Sequence, residues 1–187
     1  LYWDSGFLNV KVGSPRVEIS PDKQYIYVTI PVEEGPRFKI GRVEVIERND
    51  EGKEIPLLNG RRIVRGMVLV QRDEWFSRTK VMEDVDRITR YYQDFGYAHV
   101  NVDLGTELRK TGDIVDLTLT VSRGPVVYFD RIDIKGNAKT RDRVIRREVI
   151  VHEGERFSQT NLEISKNRVT ALGFFETVDM STSQGSA

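Results

Sequence analysis

The side chains that most often carry out chemistry are few in this sequence, and they lie far apart. The two histidines, His99 and His152, do not fall in a spacing such as H-x-x-x-H or H-E-x-x-H that would bind a metal. The absence of cysteine excludes disulfides, thiolate zinc sites and thiol nucleophiles. Glycine-rich phosphate loops and the G-x-S-x-G nucleophile motif do not occur either. We therefore predict no catalytic residue, no metal site and no cofactor.

Paired carboxylates could support acid–base chemistry, but their setting here indicates ordinary surface charge. Glu33-Glu34 lies at the end of a predicted strand, and Glu83-Asp84 lies on a predicted helix. His99 falls on the polar phase of an alternating segment, where a solvated side chain is expected. These patterns do not favour an enzyme.

The overall composition limits the partners that the chain could have. Lysine and arginine number 29 and so do aspartate and glutamate, a balance that argues against a nucleic-acid-binding surface. Hydrophobic residues make up 39% of the 187 residues, which is enough for small packed cores. No apolar run approaches the roughly 18–20 residues of a membrane-spanning helix.

One sequence phrase occurs three times and defines the organisation of the chain. It stands at residues 90–102 (RYYQDFGYAHVNV), at 1–12 (LYWDSGFLNVKV) and at 171–180 (ALGFFETVDM). Aligning the first two copies on their glycines pairs Asp4 with Asp94. Gly-Pro pairs follow both copies, and F-S-x-T at 76–79 recurs at 157–160. A unit of about 85–90 residues therefore repeats. We predict a hairpin remnant at 1–35, a complete domain at 36–123 and a C-terminally truncated domain at 124–187.

The middle unit predicts two helices and three strands. A strand over 38–46 carries a phase slip at Gly41-Arg42 that indicates a bulge. A polar loop covers 48–54, and a short helix falls within 57–65. A second helix starts at Ser77 or Thr79, buries the 3.6-period stripe Val81, Val85, Ile88, Tyr92 and Phe95, and ends at Gly96. Strands at 97–106 and 115–121 then form a hairpin around a turn at 110–113.

The flanking units repeat parts of this pattern. The first holds a hairpin of 7–19 and 25–32 around a turn at 20–23. In the third, 127–134 repeats the first strand, Thr140 caps a helix that runs to about Val149, and 174–180 repeats the second strand. Its second helix opens with the capping-box spacing Thr160-x-x-Glu163 and stops at Gly173.

The predicted fold class is α+β. Each unit has the order β-α-α-β-β, with a three-stranded mixed sheet covered on one face by two helices. Such a sheet leaves edges, and the hairpin at 1–35 has no helix to pack on.

A repeating unit of this order and length resembles the POTRA (polypeptide-transport-associated) domain. The third unit is similar to the last POTRA domain of the outer-membrane β-barrel assembly factors, and residues 48–72 depart from the family pattern. The segments that carry this likeness are Gly124-Pro125, FDRIDIKGN at 129–137, VIRRE at 144–148, Glu153-Gly154 and LGFFETVD at 172–179. The middle unit is similar to the domain before it, through 76–81 and 94–98.

The resemblance implies tandem domains on the periplasmic face of the bacterial outer membrane. The chain would hold the end of the third, the whole fourth and most of the fifth of five such domains, next to a barrel outside this sequence. These domains would scaffold lipoprotein subunits and guide unfolded barrel precursors, with no role for nucleic acid.

Two sets of site residues follow from the resemblance. Clients would pair with the second strand of each domain, at 7–12, 97–102 and 174–180, because backbone pairing tolerates varied side chains. The residues of this edge set are Tyr97, His99, Val100, Asn101, Val102, Phe174, Phe175 and Val178. The lipoprotein-docking set is Arg146, Arg147, Glu148 and Glu153.

Three other functions stay open from the sequence. The domains could belong to a pore for two-partner secretion, autotransporter assembly or plastid import. A free-standing periplasmic peptide-binding scaffold is a second class, and a nucleic-acid-binding α+β module is a third. Alternating barrel strands after residue 187 would favour the insertase.

Overall fold

The computed structural model describes residues 2–110 and 112–183. A 3₁₀ turn at Tyr2–Asp4 opens the chain. The strands are β1 (Lys11–Val12), β2 (Arg16–Ile19), β3 (Ile26–Thr29), β4 (Val32–Glu33), β5 (Lys39–Arg48), β6 (Glu54–Ile55), β7 (Asn101–Leu108) and β8 (Ile114–Ser122). The helices are α1 (Arg61–Arg65), α2 (Arg78–Asp94), α3 (Asp142–Arg146) and α4 (Gln159–Ala171).

The sheet of the middle unit is mixed and has the order β6-β5-β8-β7. β5 runs parallel to β8, and β7 pairs with β8 as an antiparallel hairpin. The predicted bulge is confirmed, because the β5–β8 register shifts between Ile40 and Val43. The prediction of three strands is wrong by one, since β6 folds back from the supposed polar loop onto the end of β5. Of the predicted turn at 110–113, Thr111 lies outside the described residues.

The bulge at Gly41 depends on the absence of a side chain. A Cβ at this position would collide with the carboxylate of Asp116 and with Ile114. Asp116 accepts the backbone N–H of Arg42 at 2.5 Å and two hydrogen bonds from Arg109 at 2.9 and 2.8 Å. Arg109 lowers the pKa of the Asp116 carboxyl, so the pair stays charged.

Helix α2 covers one face of this sheet as its apolar stripe predicts. Ser77 accepts the Lys80 N–H at 3.3 Å and is therefore the N-cap. Tyr92 and Ile88 on this helix are fully buried against the sheet. Phe95 was predicted to be buried, but it is 39% exposed because it follows the helical stripe as the C-cap residue. Gly96 then takes the left-handed backbone that ends the helix, at φ 99°.

One carboxylate is enclosed in the core of the middle unit. Glu47 is 0% exposed, accepts the Tyr92 hydroxyl at 2.7 Å and meets the Arg123 guanidinium at 2.6 Å. The backbone N–H of Leu58 completes the site at 3.1 Å. Burial, and next the Glu47 carboxylate, raise the pKa of Tyr92 well above its ordinary value. A buried charge with this many partners is tolerated, whereas one that lost a partner would be costly.

The predicted hairpin of the first unit forms, but in two separate ladders. β2 pairs with β3 around the turn, and β1 pairs with β4. The break falls at Pro31, which has no N–H to donate, while Gly13 donates to the Pro31 carbonyl at 2.9 Å. The apolar residues of the β2–β3 ladder remain at least 56% exposed, as expected without a covering helix: Val17, Ile19, Ile26, Tyr27 and Val28.

In the third unit the helices form and the predicted strands do not. Within the described residues, segments 127–134 and 174–180 contain no strand, and Tyr128 makes a single bridge to Arg156. A strand needs partner backbone to satisfy its N–H and C=O groups, and no partner ladder is described beside these segments. Apolar side chains of both segments still pack on the core of this unit. They are Phe129, Ile132, Ile134, Phe175, Val178 and Met180.

Two helix caps of the third unit differ from prediction. α3 is N-capped by Arg141 without a side-chain hydrogen bond, and Thr140 uses only its carbonyl, which accepts from Asn137. α3 also stops at Arg146, before Val149. α4 is capped by Ser158, whose hydroxyl accepts the Asn161 N–H at 3.2 Å. The proposed capping box fails because Thr160 lies inside the helix and turns toward the preceding unit.

Candidate functional site

The open edge of the middle sheet is strand β7. Its inner side pairs with β8 over eight residues from Asn101 to Leu108, and in the described part of the chain no strand pairs with its outer side. The opposite edge differs, because β6 covers the end of β5. An edge strand presents unpaired N–H and C=O groups at every second residue. β7 therefore offers the backbone template that β-augmentation requires.

The structure divides the predicted edge residues of the middle unit. Asn101 and Val102 lie in β7, whereas Tyr97, His99 and Val100 precede it in a turn, so the prediction that these three form strand is wrong. The tight turns after Gly96, with Val100 N–H donating to the Tyr97 carbonyl, delay the strand to residue 101.

Side chains near the start of β7 are divided between core and solvent. Val100 and Val102 are each 9% exposed and pack inside the sheet, and Tyr97 lies against Tyr92. His99 and Asn101 face solvent. Only backbone groups and the outward side chains of β7 can therefore contact a partner at this edge.

The outward side chains of β7 protect the edge. Asp103 and Glu107 place negative charges along it, and Gly105 stands between them without a side chain. Charges on an edge strand disfavour pairing with an identical edge. The arrangement permits a transient extended guest and opposes self-association.

The prediction of an edge strand in the third unit is wrong. Phe174, Phe175 and Val178 were expected in a strand, but the described residues after α4 form none. Phe175 and Val178 pack on the third core, while Phe174 is 62% exposed. The structure does not bring these residues together with β7 as one pairing edge.

The predicted docking residues come together in pairs on the third unit. Arg146 donates to the Ile132 carbonyl at 3.3 Å, and Glu153 accepts the Ile132 N–H at 2.9 Å, so both hold the same backbone segment. Their own charges lie 4.0 Å apart. Arg147 contacts Glu148 at 3.4 Å and remains 76% exposed. Arg147 can therefore contact a partner through its exposed guanidinium, whereas Arg146 and Glu153 already bind the backbone of Ile132.

Sequence reasoning did not predict the hydrogen bonds at the joints between units, and these bonds are nearly the same at both joints. At the first joint Phe38 N–H donates to the Gly6 carbonyl at 2.7 Å, and Phe76 N–H donates to the Phe38 carbonyl at 3.0 Å. At the second joint the Val127 N–H donates to the Gly96 carbonyl at 2.8 Å, and the Phe157 N–H donates to the Val127 carbonyl at 2.9 Å.

An aspartate from one unit completes the helix cap of the next. Asp4 accepts the Ser77 hydroxyl at 3.0 Å and the Thr79 N–H at 2.8 Å, at the start of α2. The Thr79 backbone bond, followed by the hydroxyls of Thr79 and Ser77, lowers the pKa of Asp4. A carboxylate at a helix N-terminus is favoured by the free N–H groups there.

The second joint uses the equivalent aspartate. Asp94 accepts the Ser158 hydroxyl at 2.8 Å, the Thr160 N–H at 2.9 Å and the Thr160 hydroxyl at 2.6 Å, at the start of α4. An ion pair between Arg90 and Glu163 at 3.3 Å lies alongside. The repeat alignment held the signal for this joint, because it pairs Asp4 with Asp94 and also pairs the two F-S-x-T segments.

Residues 2–110 and 112–183 contain neither a metal-binding cluster nor a membrane-spanning helix. No cluster of three or more histidine or acidic side chains there could hold a metal ion. None of the described helices is long and apolar enough to cross a membrane.

The chain belongs to the POTRA family. The family model, described as "Surface antigen variable number repeat", matches residues 39–124 and 127–186. This match confirms the family that the sequence alone indicated, and with it the tandem α+β architecture.

Curated relatives make the similarity more specific. The chain is 28% identical over 179 residues to "Outer membrane protein assembly factor BamA" of Nitratidesulfovibrio vulgaris, covering 93% of this chain and 21% of that protein. It is 27% identical over 177 residues to the BamA of Neisseria meningitidis serogroup B, covering 95% of this chain and 21% of that protein. The chain thus spans about a fifth of the length of these relatives.

Solved structures agree on the fold. The crystal structure of Haemophilus influenzae BamA POTRA3-5 matches with a TM-score of 0.81 at 22% identity, covering 95% of this chain and 67% of that one. The BamA of Haemophilus ducreyi lacking POTRA domains 1–3 matches with a TM-score of 0.65 at 25% identity, covering 77% of this chain and 26% of that one. Both matches support the tandem POTRA fold of this chain.

Proposed function

We propose that this chain is part of the periplasmic region of an outer-membrane β-barrel assembly factor, and that β7 receives segments of unfolded barrel precursors. The observation that carries the proposal is the unpartnered edge of β7 in a sheet whose other edge is partly covered. The BamA relatives, which are assembly factors by name, support the same role.

Backbone pairing suits clients of varied sequence. A guest strand beside β7 gains main-chain hydrogen bonds whatever its side chains are, while alternate side chains contact the faces of the sheet. Because Val100 and Val102 point into the core, guest recognition involves the outer backbone of residues 101–108. Binding by one edge without a deep pocket stays weak enough for release.

Hydrogen–deuterium exchange on the full-length protein tests this mechanism. Addition of an unfolded barrel precursor is expected to slow the exchange of the outward amides of β7, at alternate positions of 101–108. Amides of helix α2 on its exposed side serve as the internal reference. Equal protection of β7 and α2, or protection only outside β7, would contradict strand addition.

We propose further that Arg147 docks a lipoprotein subunit of the assembly complex. Arg147 is exposed and forms an ion pair with the adjacent Glu148 at 3.4 Å, so its charge is available at the surface. Exposed charges at an interface mainly set specificity and association rate. Glu148 contributes to the same patch, whereas Arg146 and Glu153 orient the segment around Ile132.

Charge reversal separates docking from folding. Arg147→Glu is expected to slow association of the partner subunit in a binding assay while leaving thermal unfolding unchanged. Arg131→Glu is the matched control, because Arg131 is 75% exposed in the same unit. Glu153→Lys is less informative, since it also removes the acceptor for the Ile132 N–H. Unchanged association in Arg147→Glu would place docking elsewhere.

A further inference from the structure

A cleft of about 600 Å³ opens beside the bulge of strand β5, away from the joint with the third unit. Its size lies in the range of sites for small ligands. It is lined by Gly41, Arg42, Val43, Arg65, Val70, Gln71, Arg72 and Arg109.

Guanidinium groups are concentrated at this cleft, within a chain of zero net charge. Four of its lining side chains are arginines, and none is acidic. Two of them belong to residues 55–72, a stretch with four arginines and no aspartate or glutamate. The balance of the whole sequence conceals this local concentration of positive charge.

Two of the arginines are fixed by the fold. Arg109 is held by two hydrogen bonds to Asp116, which itself fits only because Gly41 has no side chain. Arg65 donates one N–H to the Val43 carbonyl. Both keep further N–H groups that these bonds do not use, because a guanidinium carries five donors.

The other two arginines are available to a ligand. Arg42 and Arg72 are 63% and 76% exposed, and their nearest carboxylates, on Glu44 and Asp73, lie 3.7 Å away. That separation exceeds hydrogen-bonding distance, so both guanidinium forks can turn to an oxyanion.

We propose that this cleft binds a ligand of the diphosphate class, through the forks of Arg42 and Arg72 over the fixed charges of Arg65 and Arg109. Guanidinium groups match phosphate oxygens bidentately. Four guanidinium groups around one compact space, three of them beside the carboxylates of Asp116, Glu44 and Asp73, favour a small oxyanion over an extended acidic peptide, which would need a long groove. The proposal does not depend on the edge of β7.

Inorganic pyrophosphate is the probe for this site. Titration of the intact chain, followed by amide NMR shifts, is expected to move resonances of residues 41–43, 70–72 and 109. Arg42→Gln combined with Arg72→Gln should weaken binding about tenfold or more, since both lost forks make charge-assisted bonds. The matched control is Arg16→Gln combined with Arg131→Gln, which removes the same charge elsewhere and should leave the affinity unchanged.

Two further arms identify the source of the phosphate and test its chemistry. Binding to phosphatidylglycerol vesicles that pyrophosphate displaces would indicate a lipid headgroup, whereas pyrophosphate binding without vesicle binding would indicate a soluble ligand. Citrate should bind less tightly. The proposal is overturned if pyrophosphate does not bind, if both double variants lose affinity equally, or if citrate or an acidic peptide binds as tightly.

Discussion

Removal of the Asp94 carboxylate should loosen the joint between the middle and third units. In Asp94→Ala, three groups at the start of α4 lose their acceptor: the Ser158 hydroxyl, the Thr160 N–H and the Thr160 hydroxyl. Ser158 still caps its own helix through the Asn161 N–H. The substitution therefore acts on the contact between units more than on either unit.

The size of the effect follows from these three bonds. Loss of a helix-capping side chain costs about 0.5–2 kcal/mol. Hydrogen bonds to a charged group contribute about 1.5–3 kcal/mol each, and the partial exposure of Asp94 reduces that figure. A net loss of about 2 kcal/mol would shift the balance between docked and undocked units roughly 30-fold. The ion pair between Arg90 and Glu163 adds little, because it is exposed.

Spin-label distances across the joint measure this change directly. The sequence has no cysteine, so Glu83→Cys and Asn167→Cys, on exposed positions of α2 and α4, can be labelled without background. The native chain should give one narrow distance distribution by pulsed electron paramagnetic resonance. Asp94→Ala should broaden it.

The control keeps the same change of charge. Asp86→Ala removes a carboxylate from an exposed position of α2, eight residues before Asp94. We expect its distance distribution to match that of the native chain. If Asp94→Ala and Asp86→Ala gave the same distribution, the carboxylate would not hold the joint and the reasoning would be refuted.

Three further predictions concern the middle unit and the first joint. Tyr92→Phe removes the hydroxyl donor of buried Glu47, which keeps the Leu58 N–H and Arg123, and should lower the free energy of unfolding by about 1–3 kcal/mol in urea, more than the control Tyr91→Phe. Gly41→Ala should cost about 1–3 kcal/mol through overpacking at the bulge, again measured in urea. Hydrogen bonds from the next unit lower the pKa of Asp4 below its unfolded value of 3.8, so this joint should hold above that pH. It should weaken as acid protonates Asp4, with an amide shift at the joint reporting a midpoint below pH 3.8.

Periodicity predicted the helices well and the strands unevenly. Helix α2 follows its apolar stripe because side chains three and four residues apart share one face, whatever else surrounds them. The strands of the middle unit formed because β5, β7 and β8 could pair with one another. In the third unit the same alternation at 127–134 and 174–180 yields packed side chains without a ladder, because pairing needs a second backbone.

The candidate sites show the same division. The edge at β7 was expected, but turns after Gly96 moved its start to Asn101, which a pattern of alternating residues cannot reveal. The docking residues were expected at a surface that contacts a partner, yet Arg146 and Glu153 bind the backbone of Ile132.

The sequence by itself determined the repeat, its helices with their stop signals, and the family, because these depend on residues close together in the chain or at a fixed spacing. Only the tertiary structure decided which strands pair, how Asp4 and Asp94 cap helices of the following units, and where arginines gather into a cleft. The two caps join residues 64 to 75 positions apart, and chain folding, more than local preference, brings their atoms within hydrogen-bonding distance.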